Sequence, residues 1–196
     1  MPKTVRTGKK GIRCLGVAES FRKEAGSKAV IAGVVMRSDL LIDGVGITTC
    51  TVGGLDSTDS IIRMWRGLER EDINFVIVGG SVISWFNVLD LPRIHRETGL
   101  PLICLSYRES EGLDEVFKAL FPDDWSRRLE IHRANGERQQ LALKTGYRVY
   151  VRAYGLELKE AEQLLNKFTL NGRFPEPIRV AKLVARSILN SPLIRP

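Results

Sequence analysis

Apolar residues in this chain follow two rhythms. The first three apolar runs, Ile12–Ala18, Ala29–Arg37 and Leu40–Val52, are short and rich in β-branched residues, as strands are. Ser38-Asp39 is a turn between the second and third, and the glycines inside Leu40–Val52 predict a twisted or bulged strand. Gly53-Gly54 breaks the pattern. Asp56 or Ser57 then caps a predicted helix running to about Arg70, with Ile61, Ile62, Trp65 and Leu68 on one face. After this, strand and helix alternate: strand Asn74–Val78, helix Leu91–Glu97, strand Leu102–Tyr107, helix Leu113–Leu120. Residues 121–146 are polar and charged and give no periodic signal. Tyr147–Ala153 reads as a strand, Leu158–Phe168 as an amphipathic helix, and Pro175-Glu176-Pro177 opens a final helix to about Leu189.

Three strands joined by short connections make an antiparallel meander. Two later strands reached through helices must lie parallel to one of them. The prediction is an α/β fold with a ribonuclease-H-like mixed sheet, strand order 3-2-1-4-5, flanked by helices. The length of 196 residues suits a single domain over 1–196, with residues 1–11 as a basic N-terminal arm.

Composition narrows the function classes. No apolar run approaches the roughly 18 residues that a membrane helix needs, and the N-terminus does not read as a signal peptide, so a cytoplasmic protein is expected. Cys14, Cys50 and Cys104 lie far apart in apolar runs, which predicts buried free thiols rather than a metal site. The net charge of +7 fits a nucleic-acid partner, and equally a solvated surface rich in ion pairs of the thermophile kind. The basic excess concentrates in Lys3, Arg6, Lys9, Lys10 and Arg13, and again between Arg127 and Arg152.

On the predicted topology a site forms where the ends of strands one and four meet. Nucleases with this arrangement place carboxylates there to hold two Mg²⁺ ions. Strand one ends Ala18-Glu19 and strand four ends Val78-Gly79-Gly80, so only Glu19 supplies an acid, on the face opposite Ala18 if the strand continues. Asp56 and Asp59 after the third strand, and Asp90 after Trp85-Phe86-Asn87, are the other acids within reach in sequence, and Asp56 and Asp90 also suit capping a helix. Gly79-Gly80 matches no phosphate-binding loop pattern, and His95 and His132 have no partner arrangement for nucleophilic catalysis.

Six stretches carry a family resemblance: KKGIRCLGVAES (9–20), IAGVVMRSDLLIDGV (31–45), TTCTVGGLDSTDSII (48–62), VIVGGSVISWFNVLDL (76–91), TGLPLICLSYR (98–108) and PEPIRVAKLVARSIL (175–189). They resemble the archaeal domain-of-unknown-function family ninety-nine, distantly related to endonuclease V. The resemblance implies the ribonuclease-H-like fold and metal-dependent action on nucleic acid near deaminated bases, in DNA repair or RNA metabolism. It also implies where this chain departs. Relatives carry Asp-Asp at Ala18-Glu19, Asp-Gly at Gly53-Gly54, Asp-Gly at Gly79-Gly80, and histidine at Lys182. Asp43, Gly44, Asp56, Asn87, Asp90, Glu176 and Arg179 are retained.

Three expectations follow. The first is a nucleic-acid-binding, endonuclease V-like protein with a degenerate metal site at Ala18, Gly53 and Gly79. Lys9, Lys10, Arg13, Arg179 and Lys182 are its candidate nucleic-acid contacts. The second is an active endonuclease on uracil- or hypoxanthine-containing DNA, using Mg²⁺ or Mn²⁺ and a site rebuilt from Glu19, Asp56 and Asp90. The third is an interaction module or homodimer with Trp85-Phe86 exposed at an interface.

Overall fold

The computed structural model describes residues 5–108 and 112–192. Residues 1–4, and with them Lys3 of the basic arm, lie outside the described residues. The meander is β1 (Arg13–Ser20), β2 (Lys28–Arg37) and β3 (Ile42–Thr51), followed by helix α1 (Ser57–Gly67). Then come β4 (Phe75–Val78), a two-stranded hairpin of β5 (Val82–Ile83) and β6 (Asn87–Val88), α2 (Leu91–Thr98) and β7 (Leu102–Ser106). The remainder is α3 (Asp114–Leu120), α4 (Trp125–Ala134), β8 (Gln139–Ala142), β9 (Arg148–Tyr154), α5 (Leu158–Phe168) and α6 (Glu176–Leu189).

The main sheet has the order β3-β2-β1-β4-β7-β9-β8. Its first five places reproduce the expected 3-2-1-4-5 arrangement, with β2 antiparallel to β1 and β3, and β4 parallel to both β1 and β7. The unassigned region 121–146 contains α4 and the edge strand β8. The helix escaped the apolar pattern for a physical reason. Its two buried residues are Leu129 and Arg128, so half of its inward signal is a charge.

Alternation along the strands divides the core. Leu15, Val17, Ile31, Val35, Val76 and Val78 face α1 and α2, while Cys14, Val34, Met36, Phe75 and Ile77 face α5 and α6. All three cysteines are buried and free. Among the described residues no helix is long and apolar enough to cross a membrane.

Helix α6 lies unusually close on β1, and Gly16 permits it. A β-carbon at Gly16 would sit 2.5 Å from Pro177 Cβ and 2.6 Å from its carbonyl carbon. Backbone cannot yield as a flexible side chain can. A Gly16→Val variant should therefore lose about 2–3 kcal/mol of stability by overpacking, read as a lower midpoint in urea with an unchanged slope.

Candidate functional site

The strand ends meet as the topology requires. Val17 pairs with Val78 across the parallel β1/β4 edge, and the Gly79 amide donates to Val17 O at 3.1 Å. Strand β1 runs on to Ser20, so Ala18 and Glu19 face opposite sides of the sheet. Ala18 lies toward α6. Glu19 turns toward the core beneath α1, beside Ser84 and Cys50.

Lys182, projecting from α6, closes this corner. Its Nζ donates to Glu19 O at 2.5 Å and stands 3.6 Å from Glu19 Oε1. The Glu19 side chain is 14% exposed and its Oε2 has no hydrogen-bond partner among the described residues. Burial raises the Glu19 pKa, and the opposing pull of the Lys182 ammonium and of Ser84 does not cancel it.

A divalent metal does not fit this corner. Positions 18 and 79 present no side-chain oxygen, the one acid already faces an ammonium, and among the described residues no three His, Cys, Asp or Glu side chains gather as ligands. The glycines differ in what they would accept. A β-carbon at Gly79 would meet nothing nearer than Ile178 Cγ2 at 3.6 Å, whereas Gly53 has φ +74° and its β-carbon would meet Trp85 Cε3 at 3.0 Å.

The other sequence candidates are spread through the molecule. Asp56 accepts from the Thr51 amide at 2.9 Å, from the Thr51 hydroxyl at 2.9 Å and from Asn87 Nδ2 at 2.9 Å. Burial works against its ionisation, but those bonds outweigh it and hold the carboxyl below its ordinary range. It locks the β3–α1 junction. Asp90 caps α2, accepting from the Arg93 amide at 2.9 Å. Arg179 pairs with Glu176 on its own helix. Arg13 pairs with Asp43 and Asp72 at the opposite end of β1, about 20 Å from Glu19 at the usual strand rise. Lys9 and Lys10 are exposed beyond that same far end. Of the proposed contacts, Lys182 alone reaches the strand-end corner.

Trp85 and Phe86 pack inward, edge-on to Phe121 at 5.7 and 6.0 Å. Ser84, Trp85 and Phe86 all have left-handed backbone, at φ 42°, 56° and 66°. Such a run is held only by strong anchors. Arg128, 2% exposed, supplies one: its Nη1 donates to Phe86 O at 2.8 Å and its Nη2 to Gly53 O at 2.7 Å.

Beside Gly79 and Gly80 opens a cavity of about 870 Å³ at the ends of β4 and β7. Arg108, Arg138, Arg152 and Arg173 line it, with Tyr107, His132 and Phe174. None of these four guanidinium groups meets a carboxylate among the described residues. Sequence reading saw Arg138 and Arg152 only as members of a basic stretch. On β9, Arg148 and Arg152 alternate with the apolar Val149 and Val151, a strand signal in the sequence, whereas Arg138 lies in the stretch 121–146 that gives none.

Glu19 gives a pH test. Its folded pKa is raised, so its contribution is fully present below the unfolded glutamate value and is lost as pH rises through the folded one. Glu19→Gln should match the parent in urea below about pH 4, near the ordinary glutamate pKa, and exceed it at neutral pH. A variant that is less stable than the parent at neutral pH would show instead that the ionised carboxylate is favoured in the fold.

Comparison with known proteins extends the picture. The model of the Endonuclease dU family matches residues 10–189. A Pyrobaculum calidifontis protein named only UPF0215 protein is 36% identical over 175 residues, covering 89% of this chain and 95% of its own. A crystal structure of an Archaeoglobus fulgidus protein of unknown function is 30% identical, with a TM-score of 0.79 over 92% of this chain and 99% of that one. Endonuclease V from Ciona intestinalis, crystallised with inosine-containing DNA, shares the fold at 15% identity, with a TM-score of 0.60 over 92% of this chain and 87% of that one. The matched span contains both strand ends, Lys182 and the arginine-lined cavity, and the chain belongs to the Endonuclease dU family.

Proposed function

We propose that this protein binds nucleic acid at the C-terminal ends of β1, β4 and β7 without cleaving it. The observation that carries this reading is the Lys182–Glu19 pair at the corner where relatives are expected to present metal-binding acids. An ammonium fixed there offers a phosphodiester one positive charge and no activated water. The adjoining arginine-lined cavity supports the binding half of the reading, because backbone phosphates are held chiefly by such cations. Endonuclease V structures of the same fold contain DNA, which supports nucleic acid as the partner class.

Binding of labelled single- and double-stranded DNA and RNA should weaken steeply with salt. Lys182→Ala should weaken all sequences alike and reduce the salt slope by about one, the expectation for a single phosphate contact. No detectable binding at low salt would overturn the proposal.

The family description and the unpartnered Glu19 Oε2 favour a second reading, an active endonuclease on deaminated-base DNA. Under it, uracil- or hypoxanthine-containing DNA would be nicked with Mg²⁺ or Mn²⁺, and Glu19→Gln would abolish the nicking. On the first reading the parent leaves both substrates intact.

A reconstruction tests the lost site directly. The space at Gly79 and the position of Ala18 allow Ala18→Asp, Gly79→Asp and Lys182→His to be combined. Calorimetry should detect Mn²⁺ binding to that triple variant and none to the parent. Equal binding by both would show that the native corner already holds metal.

A further inference from the structure

Resting on the nucleic-acid reading, we propose that the arginine-lined cavity is a receptor for a terminal phosphate, taking the end of a strand with its last base against Tyr107 and Phe174.

The charge count separates a strand end from its interior. An internal phosphodiester carries one negative charge and two non-bridging oxygens. A terminal phosphate carries close to two charges and three acceptor oxygens at neutral pH. The cavity presents more cation than one diester can use.

Arg152 is the clearest of these groups. It is only 9% exposed, yet its side chain is placed by neutral partners: Nε donates to Gly136 O at 2.7 Å and Nη1 to Ser81 Oγ at 3.2 Å. Arg138 is similarly held, its Nη1 donating to Ser106 Oγ at 3.1 Å and to Arg108 O at 2.9 Å. These bonds orient the guanidinium groups without neutralising them. A forked donor of fixed orientation matches phosphate oxygens.

Two further polar atoms in the lining are buried without a partner among the described residues: the Tyr107 hydroxyl and His132 Nδ1. A buried polar atom left unpaired costs stability unless something bonds to it. Both point to a polar occupant. The stacking half comes from Tyr107 and Phe174, whose rings lie 4.3 Å apart, with the Arg173 guanidinium 5.6 Å and 5.4 Å from them. Phe174 is 41% exposed, which leaves ring surface open to a base. The volume of about 870 Å³ is within the range of small-ligand sites and has room for a nucleotide.

The test compares otherwise identical fluorescent single-stranded oligonucleotides ending in 5′-phosphate, 3′-phosphate or hydroxyl, each labelled at the opposite end, by anisotropy at fixed salt. One phosphorylated end should bind about tenfold or more tightly than the hydroxyl end, the scale of one added charge-assisted contact. Arg138→Gln and Arg173→Gln, neither of which is fully buried, should each remove most of that preference, so that phosphate-ended and hydroxyl-ended strands bind alike. Arg152→Gln is the stronger variant if it folds.

Competition by a nucleoside 5′-monophosphate as strong as that of the phosphorylated oligonucleotide would keep the phosphate site and assign it to free nucleotides. Equal affinity for phosphate and hydroxyl ends would overturn the end-receptor proposal while leaving nucleic-acid binding intact. A preference that survives both arginine variants would overturn its placement in this cavity. No binding of any oligonucleotide would overturn both proposals.

Discussion

The approach of α6 to β1 is the constraint on which the functional end of the molecule depends. It is set by one missing side chain. Because Gly16 offers no β-carbon, Pro177 lies directly on the strand, and the axis of α6 is fixed relative to the sheet. Ile178 then sits over Gly79, and Lys182 reaches the end of β1 to meet Glu19. A helix even slightly farther out would leave Glu19 buried without a counter-charge, which is costly for a carboxylate. The geometry of the corner is thus a consequence of packing near the start of α6.

On the proposed reading, that corner keeps the strand-end geometry of the endonuclease V-like fold and presents cations in place of carboxylates. Metal-dependent phosphodiester hydrolysis uses negative charge to hold cations, and the cations to hold phosphate. Here the cations are covalent parts of the chain. Lys182 occupies the corner itself, and arginines from β9, from the segments after β7 and α4, and from the loop before α6 surround the adjoining cavity. In the proposed function such a surface would attract a phosphate backbone without supplying a nucleophile. The membership of the Endonuclease dU family and the endonuclease V-like fold describe the scaffold, and the side chains at the strand ends decide what it does.

Much of the scaffold was legible because its signals are local. The β-branched runs of β1 to β3, the apolar stripe of Ile61, Ile62 and Trp65 on α1, and the Asp90 cap all act within a few residues of one another. The two parallel strands followed from connection rules applied to those elements. Helix α4 was not legible, since Arg128 turns inward to hold the carbonyl oxygens of Gly53, Gly54 and Phe86, and no apolar pattern reports a buried arginine. Asp56 was ambiguous in sequence for a related reason. A carboxylate one residue before a helix suits capping or catalysis, and only the Asn87 and Thr51 contacts assign it to the β3–α1 junction.

The sequence by itself determined the α/β class, the order of the central strands and the absence of aspartate at positions 18 and 79. Each of these is a property of residues at known places along the chain. Tertiary structure decided which charges act together. It separated Arg13, Lys9 and Lys10 from the strand-end corner, brought Lys182 to Glu19, and gathered Arg108, Arg138, Arg152 and Arg173 around one cavity. Electrostatic function depends on distance in space, and distance in space between remote residues is fixed only when the sheet and its helices have packed.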